Sequence, residues 1–287
     1  LGSGESALLW VSLGVVLGVV GLVVGRTSTG APALRTPLRR VVIAGWLAIC
    51  PLAILLLVAF GGVEVGRWGG LYLNYLITAT AALGAFPIGV LMALGRRSGY
   101  RVIRMSCTTM MDATRSLPLI VVLLVSALAI QRLLPTLWGI NEAGLFIRIL
   151  AAYTLFTSVY VAVCVSGGLA GLPRGQSEAA LALGLTPTQV NRSVLLPQGI
   201  RRAIPSLTGE LIDLLMASTL ISVLGMTDIL AAARATTEQP AFFGRQKEVL
   251  LVVGVVFWAT AFSLSRLGRA AERALAPRSG REGTAQR

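Results

Sequence analysis

Apolar residues in this chain fall in long unbroken runs, separated by short connections that carry most of its arginines. A helix needs about 20 residues to cross a hydrocarbon core about 30 Å thick. Seven runs come near that length, at residues 8–24, 41–60, 71–94, 117–131, 145–167, 206–230 and 249–267. The pattern predicts an all-α protein, a polytopic transmembrane helical bundle. The fourth run is short, and it is expected to extend back through Met105 to Asp112 as a helix broken or bent near Pro118 and sheltered by its neighbours. In the first run, Gly14, Gly18, Gly21 and Gly25 recur at spacings of 4, 3 and 4, a stripe that lets another helix approach closely. Pro51 and Pro87 fall mid-run, where they can kink a helix without marking a ligand site.

Composition agrees with the pattern: 55% of the 287 residues are apolar, only 13% are charged, and the mean hydropathy is +0.79. The net charge of +13 comes almost wholly from arginine. Assigning connections alternately to the two sides collects 19 of the 25 basic residues on one side, leaving Arg67, Arg132, Arg148, Arg234, Arg245 and Lys247 on the other. The positive-inside rule makes the richer side cytoplasmic, so the charge is topological and a nucleic-acid-binding module is excluded. There is no histidine, which removes Ser-His-Asp and Cys-His catalysis and His-ligated zinc. The three cysteines, at 50, 107 and 164, lie far apart in apolar surroundings and read as small buried hydrophobes. The single lysine, Lys247, follows Arg245-Gln246, so the chain has no phosphate-binding Walker A pattern. The orientation puts Leu1 outside without a cleavable signal, which raises the expectation of a further span preceding it.

The longest cytoplasmic connection, residues 168–205, is short of charge for an exposed loop. Ser177 is expected to N-cap a helix running through Leu183, ended by Gly184 in the left-handed conformation that glycine accepts. Thr186 is expected to cap a second helix with Pro187 at its first position and Gln189 completing a capping box, and Pro197 to stop it. The predicted result is two short helices with a tight corner, presenting Ala179, Ala180 and Leu183 beside Glu178. An elbow of this kind suits insertion into a groove on another protein.

At these residues the sequence resembles the EAA loop of the membrane subunits of ABC importers: Glu178-Ala179-Ala180, three residues, Gly184, nine residues, Val194, then Leu196-Pro197. The resemblance covers roughly residues 68–275 and is to permeases for polar amino acids, the general and acidic L-amino-acid type of the His/Glu/Gln/Arg/opine permease family. Other segments carry it in order: Trp68-Gly69-Gly70-Leu71, Arg115-Ser116-Leu117-Pro118-Leu119, Gly167-Gly168-Leu169, Ser218-Thr219-Leu220 and Leu224-Gly225-Met226-Thr227-Asp228. The resemblance implies a type I ABC importer permease, multi-pass in the bacterial plasma (inner) membrane with its C-terminus cytoplasmic. It implies pairing with itself or a sister permease, an ATPase pair gripping the elbow through Glu178, Ala179, Ala180, Gly184, Leu196 and Pro197, and an extracytoplasmic amino-acid-binding protein. No cofactor is expected on this chain, since ATP and Mg would sit on the ATPase, and no metal site or catalytic residue is expected. The domains then read as N-terminal accessory spans at 1–66, a permease domain at 67–275 and a disordered cytoplasmic tail at 276–287.

The chain departs from the family where charge is usual. Val163 stands at a common Glu and Ser166 at a common Arg, while Met216 and Ala217 stand at a common Lys-Asp pair. With Arg115, Pro118, Ser218 and Thr219, the positions Val163, Ser166 and Met216 are the expected lining of the path or gate. Glu210 and Asp213 lie three apart on one helical face and Asp228 near the outer end of the sixth run, where they either pair with Arg201, Arg202 or backbone groups or line the path. Residues 231–248, with Phe242 and Phe243, read as an outer loop suited to receiving the binding protein. Two other readings stay open: an ion-coupled secondary transporter, and a permease-fold subunit without transport.

Overall fold

The computed structural model describes residues 69–129 and 142–275, all within one compact unit, Val63–Arg287. The runs 8–24 and 41–60, the stripe at Gly14, Gly18, Gly21 and Gly25, and the tail 276–287 lie outside the described residues. Helix α1 spans Gly70–Arg96, α2 Arg101–Arg115, and α3 Leu119–Leu124, which opens into a π turn over Val125–Ala129. Then come α4 at Glu142–Ala170, α5 at Arg174–Ala182, the long α6 at Pro187–Leu224, α7 at Ile229–Thr237 and α8 at Gln246–Leu275. Among the described residues there is no strand, only an isolated parallel bridge between Gly70 and Asp228.

Helices α1, α4, α6 and α8 are long and apolar enough to cross a membrane, and α2 with α3 makes a fifth crossing if the bent pair is one span. The described residues therefore carry four or five spans. The fourth predicted run extends back as expected and is bent near Pro118: the extension is helix α2, which meets α3 at 100°. Pro118 causes the corner: it sits at the N-cap of α3 with φ −62° and ψ 137°, and its ring disfavours helical geometry at the residue before it. Pro87, by contrast, lies inside an uninterrupted α1.

The core forms where α1 and α6 pack on α4, and small residues set the spacing. A methyl group at Gly89 on α1 would meet the Ser158 carbonyl of α4 at 2.6 Å, and one at Gly168 on α4 would collide with the Gly199 carbonyl of α6. Such glycines let helix backbones touch in a solvent that offers little hydrophobic drive between helices. Around these crossings Ile77, Ala81, Ala85, Tyr153, Val159, Ala162 and Leu215 are fully buried. Helix α8 instead leaves Leu251, Val252, Val255, Trp258 and Phe262 exposed, an apolar surface of the composition that lipid accepts.

The elbow and the open face of α6

Helix α5 starts a turn earlier than the sequence suggests. Pro173 occupies its N-cap with φ −60°, and Ser177, expected to be that cap, lies inside the helix and donates to the Arg174 carbonyl at 2.7 Å. The proline ring presets the entry angle, so no side-chain cap is needed at Ser177. The other end matches the expectation. Gly184 has φ +84°, its N–H donates to the Leu181 carbonyl at 2.9 Å, and the Leu185 N–H donates back to the Ala180 carbonyl at 3.2 Å. This pair of bonds is a Schellman motif, with Leu185 packed against the buried cluster that contains Ala180.

Thr186 opens α6 through a complete capping box: its hydroxyl accepts from the Gln189 N–H, and Gln189 Oε1 accepts from the Thr186 N–H at 2.8 Å, with Pro187 in the first turn. Pro197 does not stop this helix, which corrects the expectation of a second short helix. The backbone widens into a π turn over Val190–Leu195 and continues through Leu196 and Pro197 to Leu224. Proline has no N–H to return and its ring crowds the carbonyl a turn earlier; a wider turn accommodates both without ending the helix. The elbow is therefore one short helix hinged at Gly184 to the start of a core span.

Its residues divide between anchoring and display. Ala180, Val190 and Leu195 are buried in one cluster with Met92 of α1, Met111 of α2 and Leu169 of α4. Glu178, Ala179 and Pro197 are exposed, as are Leu181 at 48% and Leu183 at 82%. Two bare leucines on a helix pinned from beneath are a ready contact for a partner groove.

On α6 the exposed positions Arg202, Ser206, Gly209, Asp213 and Met216 recur at spacings of 4, 3, 4 and 3, one open stripe along the span, with Glu210 half-buried beside it. Arg202 donates to the Gly171 carbonyl, so backbone is its hydrogen-bond partner and not the acids of α6. Arg115 and Pro118 are exposed at the α2–α3 corner. Val163 packs against the elbow-end cluster, and Ser166 has its hydroxyl buried without a hydrogen-bond partner among the described residues. Thr219 is partly exposed and donates to the Met216 carbonyl at 2.9 Å. Ser218 is fully buried, turned away from the open stripe.

Ser218 belongs to a polar knot that sequence reasoning missed. Asn74 Nδ2 donates to the Ser218 hydroxyl at 2.9 Å and to Asp228 Oδ2 at 3.4 Å, and Asn74 Oδ1 accepts from the Ile229 N–H at 3.2 Å. Asp228 Oδ1 accepts from the Ala231 N–H at 2.8 Å, capping α7. All three side chains are fully buried. Beside them Tyr153 donates to the Ala217 carbonyl and the Gly70 N–H donates to the Thr227 carbonyl at 2.8 Å. The signal was present in Asn74, a lone amide in an apolar run, since polar groups at membrane depth are costly and retained with partners. Residues 231–248 are likewise not a loop: α7 and a 3₁₀ turn at Pro240–Phe242 fill most of them, with Phe243 exposed beyond.

The family model for the inner membrane component of binding-protein-dependent transport systems matches residues 85–277, well over half the chain. The chain belongs to this family. The permease is similar to the inner membrane amino-acid ABC transporter permease protein YhdY of Escherichia coli (strain K12), 35% identical over 80% of this chain and 64% of that protein. It is 35% identical to the glutamate/glutamine/aspartate/asparagine transport system permease protein BztC of Rhodobacter capsulatus, over 74% of this chain and 49% of that one. The chain thus spans about half to two thirds of the length of these two relatives. A solved amino acid ABC transporter with histidines superposes with a TM-score of 0.62 at 26% identity, over 71% of this chain and 92% of that one. A chain of the inward-facing MetNI methionine ABC transporter superposes at 0.56 and 22% identity, over 72% and 94%, which shows the shared fold. The permease is a multi-pass α-helical membrane protein of a bacterial inner-membrane family.

Proposed function

We propose that this permease is the membrane subunit of an ATP-driven importer of polar L-amino acids. The observation that carries the reading is the elbow: a nine-residue helix closed by a Schellman motif at Gly184, joined by a capping box to a continuous core span, with Glu178, Leu181 and Leu183 bare on its outer side. A lever must be stiff within itself and continuous with what it moves, and α6 runs unbroken from the elbow into the open stripe. A pair of ATPase subunits, holding ATP and Mg, would grip the exposed side of α5. Closure of that pair would shift the permease between inward-facing and outward-facing states through the difference in contact energy between them.

The polar stripe from Arg202 to Met216 cannot face lipid cheaply, so it fits the path or the seam with a second permease subunit, self or sister. Arg115, Pro118, Val163, Ser166 and Thr219 would flank the path, while Ser218 holds the wall behind it. The exposed Phe242 and Phe243 lie at the far end of α6 from the elbow and suit an extracytoplasmic binding protein. With the elbow in the cytoplasm, the C-terminus lies there too. The acidic and amide amino acids named for BztC, and the amino acids named for YhdY, supply the substrate class.

The test is uptake and assembly together. Glu178→Lys and Gly184→Arg should each abolish ATP-driven uptake and weaken ATPase association while the chain still inserts in the membrane. Wild-type coupling in both variants would defeat the assignment. Uptake by the purified chain alone under an ion gradient would point to secondary transport, and an assembled complex that moves no amino acid to a permease-fold subunit without transport.

A further inference from the structure

We propose that α2 is an in-plane helix that holds anionic lipid headgroups at the elbow end of the bundle. Its position follows from two contacts. Met111 is fully buried in the cluster that holds Ala180, Val190 and Leu195 of the elbow, and the Cys107 side chain lies against Gly95 at the last turn of α1. The 100° corner at Pro118 then lays α2 across that end of the bundle when α3 points along the span.

The opposite side of α2 is open. Val102 is 77% exposed, Met105 62% and Met110 48%, lining a shallow groove of about 710 Å³ with Arg101. Tyr100, 76% exposed, stands at the helix start. Around this apolar strip, four exposed arginines lie within nine residues: Arg96, Arg97, Arg101 and Arg104. Arg104 gives one N–H to the Ser98 carbonyl at 3.1 Å, which leaves the remainder of its guanidinium for an outside acceptor. An apolar face rimmed by arginine and an aromatic is the make-up of a helix lying in the headgroup plane, and a basic cluster at the end of a span draws anionic lipid. Guanidinium pairs with phosphate through two parallel hydrogen bonds, a geometry that ammonium lacks.

Charge decides between lipid and a second copy of the chain. Two copies meeting at this patch about a twofold axis would set four arginines against four, whereas a bilayer bearing phosphatidylglycerol supplies the opposite sign. The bound lipids would fix α2 as a footing for the corner at Arg115 and Pro118.

The test uses the full chain with its three cysteines replaced and one introduced by Val102→Cys, labelled with a polarity-sensitive fluorophore. It is reconstituted in nanodiscs of phosphatidylcholine with or without about a third phosphatidylglycerol. The expected result is quenching by a lipid-borne quencher placed just below the headgroup, enhanced severalfold when the quencher is carried on phosphatidylglycerol. Arg97→Gln with Arg101→Gln and Arg104→Gln should remove that enhancement, and the corresponding lysine replacements should restore only the part that charge alone supplies. Quenching by a water-soluble quencher alone would overturn the proposal, and so would protection from both quenchers, which would place a protein on this face. A circular dichroism spectrum unchanged across the variants separates loss of lipid preference from loss of fold.

Discussion

Adjacent glycines in the Gly167-Gly168-Leu169 segment have opposite structural weight. A methyl group on Gly168 would run into the Gly199 carbonyl and the backbone of Ala203, while one on Gly167 would meet nothing within 4 Å. Backbone cannot rotate aside as a side chain can. Gly168→Ala is therefore expected to lower stability by about 1–3 kcal/mol, as overpacking does elsewhere, and Gly167→Ala to be neutral or slightly stabilising through better helix propensity. Thermal unfolding of the two variants in one detergent would show the difference; equal melting temperatures would mean that the α4–α6 crossing is looser than described. The same logic explains Gly69-Gly70, legible in the sequence only as a family segment. A side chain at Gly69 would meet the Thr227 carbonyl at 2.9 Å, and Gly70 has φ +64°.

Helix α6 shows how an element can follow its caps and still override a breaker. The Thr186-Pro187-Gln189 box is local chemistry, with every partner within three residues, so it was readable from sequence and appears as expected. Pro197 was misread because a proline's effect depends on whether the chain can open a turn before it, and the burial of Val190 and Leu195 holds the π turn in place. Pro197→Ala should let the segment relax to regular α-helix, turning α5 relative to the core span. The expected outcome is normal insertion and near-normal melting with ATP-driven uptake reduced severalfold. Unaltered uptake would show that coupling tolerates a changed elbow angle.

The bundle as a whole is tied at the end remote from the elbow, where Asn74, Ser218 and Asp228 join α1, α6 and α7. Burying a carboxylate and an amide is tolerable only because each is bonded. Asp228→Asn keeps an oxygen for the α7 cap and should cost little, whereas Asp228→Leu removes the cap, worth about 1 kcal/mol, and strips Asn74 of a partner, which adds about 1–3 kcal/mol. The measurement is melting temperature together with protease resistance of the α6–α7 junction. Equal values for the two variants would mean that the knot contributes no stability.

The positions of the spans among the described residues, the caps at Thr186 and Gly184 and the family resemblance all follow from the sequence by itself, because hydropathy and capping act over a few residues. What required the tertiary structure is whatever depends on a distant partner. The packing of α2 against the elbow-end cluster, the passage of α6 through Pro197, the choice of Ala180 to face inward and Leu183 outward, and the joining of Asn74 to Asp228 across 154 residues are set by which surfaces meet. In a chain where most residues are apolar, periodicity barely distinguishes one helix face from another, so the contacts alone decide which polar groups are buried in pairs and which remain on the open face.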